Sequence, residues 1–303
     1  MTSTSGLNDD NIIFAAGEKE VDRLQLQHEI MKDAMKDLIK APLNLSKPGL
    51  QILDQATADG PLLPNTPQNS AHTNIPSGIW LKDVAAVSPA QHEYTGTDIE
   101  PYYPVPPPAH MTFFDQSMTK PWPAHMNATF DLVHSRLALP GAGITPIKTV
   151  VTQLIDLVKP GGWIQQTEMV YSKWPDNGPA MDGMWRVAVD WIGFAVGGQS
   201  LNFKDDLEAW YKEAGVVDVQ TEVYTVGIGK KAGSERMRGI STRSMHTTVS
   251  GLCMGAKAGK SADPNAVKLS FEELDTLPER VLKELNEVGG YWQFFTIWGR
   301  KED

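Results

Sequence analysis

Leu50-Gln51-Ile52-Leu53-Asp54, running into Gln55-Ala56-Thr57-Ala58-Asp59-Gly60, decides the fold. The first five residues read as a short buried strand, and the small residues after them read as a tight turn. A turn of small residues between a strand and a helix lets backbone N–H groups approach a ligand. In an open parallel sheet ligands lie beyond the carboxyl ends of the strands. Asp54, Ala56, Thr57 and Gly60 are therefore the first candidate binding residues.

Upstream, residues 18–39 place Val21, Leu24, His28, Met31, Met35, Leu38 and Ile39 mostly at steps of three and four. That spacing predicts an amphipathic helix, ended by Pro42, that covers a sheet or cleft. Residues 1–17 lack periodicity and read as a loose arm. Downstream, residues 61–78 hold Pro61, Pro64, Pro67 and Pro76 among polar residues, with no strand or helix period, and read as a loop or disordered segment. Structure resumes as a helix from Trp80 to Ala85, before Pro89. A strand at 93–96 leads to Asp98, and residues 101–108 form a Pro-rich connector. Met111-Thr112-Phe113-Phe114 is a third strand, ending at Asp115-Gln116-Ser117. Phe130-Asp131-Leu132-Val133-His134 is a fourth. An apolar helix at 146–157 ends in Lys159-Pro160-Gly161-Gly162, before a fifth strand at 163–166. A long insert at 168–202 precedes a helix (204–214), a strand (217–226), helical stretches at 236–254 and 271–288, and a closing strand at 291–298. Alternating strands and helices predict an α/β protein with a parallel sheet covered on both faces.

Composition narrows the function. The 303 residues carry 27 Lys+Arg against 37 Asp+Glu, a formal net charge of −10, with 41% hydrophobic residues. Such an acidic chain lacks the footprint of a nucleic-acid partner. A single cysteine, Cys253, forms no internal disulfide and points to a reducing compartment. Residues 1–10 are polar, unlike a signal peptide, and no stretch approaches the roughly 18 apolar residues of a membrane helix. The expectation is a soluble cytoplasmic protein without a membrane partner. His28, His72, His92, His110, His125, His134 and His246 are scattered without ligand spacing, so no metal site is expected.

At the strand ends stand the small-residue turn, then Asp98, then Asp115-Gln116, then His134. An acidic residue ending the second strand can accept hydrogen bonds from both ribose hydroxyls. A polar residue ending the third can read an adenine edge. Together they describe a site for an adenosine-containing cofactor.

These residues carry a resemblance. Glu20-Val21-Asp22-Arg23-Leu24 with Gln27-His28, Ile52-Leu53-Asp54 with Gly60, Gly96-Thr97-Asp98, Pro121-Trp122-Pro123, Phe130-Asp131-Leu132-Val133-His134-Ser135-Arg136 and Leu157-Val158-Lys159-Pro160-Gly161-Gly162-Trp163 fall in order. So does the closing strand at 294–300. The chain resembles the fungal class I S-adenosylmethionine-dependent methyltransferases of secondary metabolism, a group that includes LaeA-like and UMTA-like proteins and the N-methyltransferases of gliotoxin-type clusters. The resemblance spans about residues 18–300. It implies a Rossmann-like, seven-stranded, mostly parallel sheet with an antiparallel last strand, a helical N-terminal cover and a helical lid, in one domain over 18–303. The acceptor is then a small hydrophobic metabolite, methylated on nitrogen or oxygen.

The resemblance also implies roles. Asp54, Ala56, Thr57 and Gly60 would hold the methionine portion of S-adenosylmethionine, Asp98 the ribose, and Asp115 or Gln116 the adenine, with Ile99 and His134 also among the cofactor-binding residues. His134 is either a base or a structural histidine beside the cofactor, and His246 is a second base candidate. Arg136 can bind an acidic group or serve in an ion pair, and His28 either packs or closes over the cofactor. Residues 168–202 and 230–290 would build the lid, with Trp174, Met181, Met184, Trp185 and Met245 as adaptable pocket walls; ordinary core is the alternative for each. Two features depart from the family pattern. Alanines stand at two of the usual glycine positions, where positive φ disfavours them. The aromatic residue expected two positions after the last loop glycine is Trp80, twenty after Gly60. Residues 61–78 thus read as an excursion of the loop or a translated intron, because excising them restores Gly-x-Trp. A regulatory protein that needs little catalysis, or a cofactor-binding relative such as a cyclase, are the other functional readings.

Overall fold

The computed structural model describes residues 18–57, 78–99, 103, 106–174 and 176–303. The arm at 1–17, Gly60 and all of 61–78 except Gly78 lie outside the described residues. Within them the chain runs α1 (Glu18–Met35), β1 (Gln51–Gln55), α2 (Ile79–Val87), β2 (Glu93–Asp98), β3 (Met111–Asp115), β4 (Phe130–Arg136), α3 (Ile147–Leu157), β5 (Val158–Met169), α4 (Pro179–Ala195), α5 (Phe203–Glu213), β6 (Val216–Ile228), α6 (Glu235–Ala262), α7 (Phe271–Glu287) and β7 (Gly290–Lys301). Seven strands form one sheet in the order β3-β2-β1-β4-β5-β7-β6. The first five lie parallel, and β7 runs antiparallel between β5 and β6. The expected Rossmann-like sheet with its antiparallel last strand is present.

Central strands β1 and β4 are buried on both faces, as a covered parallel sheet requires. Ile52, Leu132, Trp80, Leu81 and Val84 form a core beneath α2, while Leu53 and Val133 belong to the larger core with α3 to α7. Helix α3 shows why such segments are helical: Ile147, Val150, Val151, Leu154 and Ile155 repeat at three and four and are all buried.

Two boundaries differ from expectation. The N-terminal helix stops at Met35 rather than continuing to Ile39, because Lys36 turns left-handed (φ 65°). Gln165 of β5 then clamps the chain that follows. Its Nε2 donates to Leu38 O at 2.8 Å, and its Oε1 accepts from Lys40 N at 2.6 Å and Ala41 N at 3.2 Å. Those backbone groups are spoken for and cannot continue a helix. The Lys159-Pro160-Gly161-Gly162 run does not end before a strand but lies inside β5. Pairing shifts from Phe130↔Val158 to Leu132↔Trp163, so the extra residues form an irregularity with Gly161 at φ +73°.

Gln165→Met would leave the buried backbone groups at 38, 40 and 41 unpaired. We expect a loss of about 2–4 kcal/mol in chemical denaturation, with the fold retained.

Candidate functional site

The carboxyl ends of β1 and β4 meet at a buried pair. Asp54 and His134 face each other in register, and His134 Nδ1–H donates to Asp54 Oδ1 at 2.7 Å. Both side chains are almost wholly buried. The His134 ring lies flat against Trp80 of α2, centroids 3.7 Å apart and planes at 4°. Burial lowers the imidazole pKa despite the opposing hydrogen bond and charge of Asp54, with Arg136 adding to the depression. His134 is therefore a neutral group fixed on one side by Asp54 and on one face by Trp80.

Beyond Asp54 the turn opens with Ala56 at φ 59°, a left-handed conformation in which an alanine Cβ costs about 1–2 kcal/mol. Thr57 N donates to Thr97 O at 3.0 Å, and Thr57 O accepts from Gly78 N at 3.0 Å. Gly78, not Gly60, thus stands two residues before Trp80 and opens α2, with φ 79°. A Cβ on Gly78 would lie 2.8 Å from the Phe113 ring, and one on Gly96 only 2.5 Å from it. Bare backbone is required at both positions. The hydroxyls of Thr57 and Thr97 are buried without a partner. Orphaned donors beside a turn at a strand end fit a site that holds a polar ligand.

Asp98 and Asp115 end adjacent strands in register. Tyr103 Oη lies 3.1 Å from Asp98 N and 2.9 Å from Phe114 O, tying the connector to these two ends. Ile99 is exposed just past Asp98. The Gln116 side-chain amide donates to Ser117 O at 2.8 Å and so organises the loop after β3. Asp98 and Asp115 thus stand side by side with Ile99 and Gln116 just beyond them, and two acceptor carboxylates beside an exposed apolar side chain fit the hydroxyls and ring of a nucleoside.

Helix α1 is fastened to this end of the sheet by a polar chain. His28 is fully buried; its Nδ1 lies 2.9 Å from Arg136 Nη1 and its Nε2 3.0 Å from Asp83 Oδ2. Arginine can only donate, so Nδ1 accepts and Nε2–H donates to Asp83. Burial, helped by Arg136, pushes the His28 pKa down to about 4. Burial would raise the Asp83 pKa, but hydrogen bonds from Lys32 and His28 hold it below the usual carboxylate value.

Other candidates lie elsewhere. His246 sits on α6, 3.3 Å from Glu279 of α7 and partly exposed, and does not join the Asp54–His134 group. The reason is topological: α6 packs against α1, α4 and α7, not over the ends of β1 and β4. Trp174, Met181, Met184 and Met245 are almost fully buried in the main core. Trp174 and Trp185 spend their indole N–H groups on Val170 O and Tyr171 O. The first four are packing residues, and only Trp185 is partly exposed. The sequence reading passed over Glu168, at the end of β5. Its Oε1 accepts from Ala138 N and Leu139 N at 3.0 Å each, its Oε2 is buried without a partner, and burial pushes its pKa up to about 8. No local pattern marks such a residue, since its partners follow β4. Among the described residues no group of acidic, histidine or cysteine side chains could hold a metal.

Seven strands in this order, acidic strand ends and a small-residue turn define the class I methyltransferase fold. No family model matches the chain. It is 34% identical over 288 residues to methyltransferase psoC of Aspergillus fumigatus, covering 94% of this chain and 95% of that protein. It is 34% identical over 295 residues to N-methyltransferase tcpN of Claviceps purpurea, with the same coverage. A chain in the Haloferax volcanii complex of the Trm112 methyltransferase activator with a methyltransferase shares the fold, at 11% identity and a TM-score of 0.51, over 95% of this chain and 99% of that one. The protein belongs to the family of fungal class I S-adenosylmethionine-dependent methyltransferases of secondary metabolism.

Ala56→Gly removes the strained methyl, at some cost in unfolded-chain entropy. We expect a net gain of about 0.5–1 kcal/mol, read from thermal or urea unfolding. His28 gives a pH signature. Its folded pKa lies below the unfolded value, so its contribution is intact above about pH 6.5 and is lost as the pH falls toward 4, where the unfolded chain binds the proton first. Wild type should lose about 2–3 kcal/mol more over that range than His28→Asn, measured by urea titrations at each pH.

Proposed function

We propose that the protein transfers a methyl group from S-adenosylmethionine to a nitrogen of a small hydrophobic metabolite. The observation that carries this reading is the convergence of Asp54, Asp98 and Asp115 at three neighbouring strand ends around the Ala56–Thr57 turn. The nitrogen preference rests on the relative named an N-methyltransferase. When bound, the cofactor would supply an electrophilic methyl on a sulfonium, which the acceptor's lone pair takes in line as the carbon–sulfur bond breaks and the thioether leaves. The chain's own task is placement. Asp54 and the turn hold the amino-acid end, Asp98 takes the ribose hydroxyls, and Asp115 with Ile99 and Gln116 borders the base. His134, buried and bonded to Asp54, fixes that carboxylate. Of Trp174, Met181, Met184, Trp185 and Met245, Trp185 is the partly exposed one and the one we assign to an acceptor wall.

Gly78 stands two residues before Trp80, the spacing the family pattern expects after its last loop glycine, so the site's Gly-x-Trp is complete without residues 60–77. Cys253 is free and buried, its thiol pushed up to about 11 by burial, in keeping with the cytoplasm. No described helix is long and apolar enough to cross a membrane.

Calorimetric titration of S-adenosylmethionine into wild type, Asp98→Ala and a chain lacking 61–78 tests the reading. We expect binding by wild type and by the shortened chain, and at least about a tenfold loss in Asp98→Ala. Product mass then reports methyl transfer. A folded wild type that binds no S-adenosylmethionine refutes the assignment.

A further inference from the structure

Arg136 closes β4 and spends one N–H on the buried His28 of the cover helix. Register pairs Asp54 with His134 and Gln55 with Ser135, so Arg136 stands level with Ala56, the first residue of the turn. Strand alternation puts it on the same face as His134 and Leu132. Its Nη1 lies 2.9 Å from His28 Nδ1, and its charge lowers the pKa of both His28 and His134. The charged side chains that end β1, β2 and β3 among the described residues are acidic: Asp54, Asp98 and Asp115. They suit hydroxyls, an ammonium and a sulfonium, but not a carboxylate.

We propose that Arg136 is the anion subsite that takes the α-carboxylate of the methyl donor, and that His28 is the positioning residue that holds its guanidinium there. The inference rests on the methyl-donor reading above and adds to it. A guanidinium suits this task because its planar fork can meet both oxygens of a carboxylate. His28 is a suitable holder because a neutral imidazole accepts one N–H and orients the fork without cancelling its charge. Asp83 keeps that imidazole in the required tautomer by taking Nε2–H. The cover helix thus reaches the donor site through one buried side chain, 108 residues away in sequence.

The test pairs two ligands with three full-length proteins. S-adenosylmethionine and its decarboxylated form, which differ only in the carboxylate, are titrated calorimetrically into wild type, Arg136→Gln and His28→Asn. Wild type is expected to favour the carboxylated ligand by about ten- to a hundredfold. Arg136→Gln is expected to bind the decarboxylated ligand as wild type does, which also shows that it is folded, while that preference falls to about threefold or less. His28→Asn is expected to lose part of the preference, severalfold, with the decarboxylated ligand again unaffected. Equal losses for both ligands would make Arg136 merely structural and overturn the subsite, as would a preference undiminished in Arg136→Gln. A wild type that binds neither ligand overturns the methyl-donor reading and the subsite with it, whereas a wild type that binds both equally overturns the subsite alone.

Discussion

The hydrogen bond between Asp54 and His134 is the constraint on which the site is built. A carboxylate and an imidazole buried side by side would each be costly alone. Together, and lidded by Trp80, they bind the ends of the two central strands at a fixed separation. Everything of chemical interest hangs from those two ends: the Ala56–Thr57 turn from β1, and Ser135, Arg136 and the loop to Leu139 from β4. Ser135 Oγ donates to Gln55 Oε1 at 2.9 Å and repeats the tie on the opposite face one residue further on. The strand ends are therefore cross-linked by side chains above and below, which is what a preorganised binding floor needs.

A second layer of polar contacts fastens the cover to that floor. Helix α1 is weakly amphipathic and would be a poor lid by apolar burial alone, although Ile30, Met31 and Met35 are buried. Its place is specified by His28 and Lys32 reaching Asp83, and by Gln165 gripping the chain at 38–41. Both attachments are made by side chains that would be unsatisfied if the helix lifted. Displacing α1 thus breaks the contacts of His28 to Arg136 and of His28 and Lys32 to Asp83 together.

What was legible in the sequence follows from distance along the chain. Strand β1 with its turn, the acidic ends of β2 and β3, and the β4 motif are local patterns, and the sheet places them as expected. Asp54 with His134, His28 with Arg136, Trp80 with His134 and Gln165 with Leu38 join residues that only the fold brings together. Sequence alone could nominate His134 but not say that Asp54 engages its Nδ1 and that Trp80 covers one face of its ring. The aromatic and methionine residues of α4, of α6 and of the segment before α4 are ambiguous for the opposite reason. Apolar side chains at helical spacing serve equally as pocket wall or as core, and burial decides for core in Trp174, Met181 and Met245. Glu168 was invisible because an isolated glutamate gains meaning only from the two N–H groups that turn toward it.

The interrupted turn shows how a binding loop can keep its geometry while its sequence is stretched. In an uninterrupted chain Thr57 and the glycine three residues later would be the first and last residues of a β-turn, joined by a carbonyl–amide hydrogen bond. Here the same bond forms between Thr57 O and Gly78 N. Closing it across 22 residues rather than four adds only about 1.5 kcal/mol of chain entropy, because the penalty grows with the logarithm of length. The contacts that enforce closure do not depend on what lies between. Thr57 N is held by Thr97 O, Gly78 is wedged against Phe113, and Trp80 is stacked on His134. Removing residues 60–77 or residues 61–78 yields the same chain, since both leave one glycine before Ile79. The positive φ at Ala56 fits this picture. The strained residue lies inside the anchored half of the turn, between Asp54 and Thr57, where the strand pairing, not the loop, dictates its conformation.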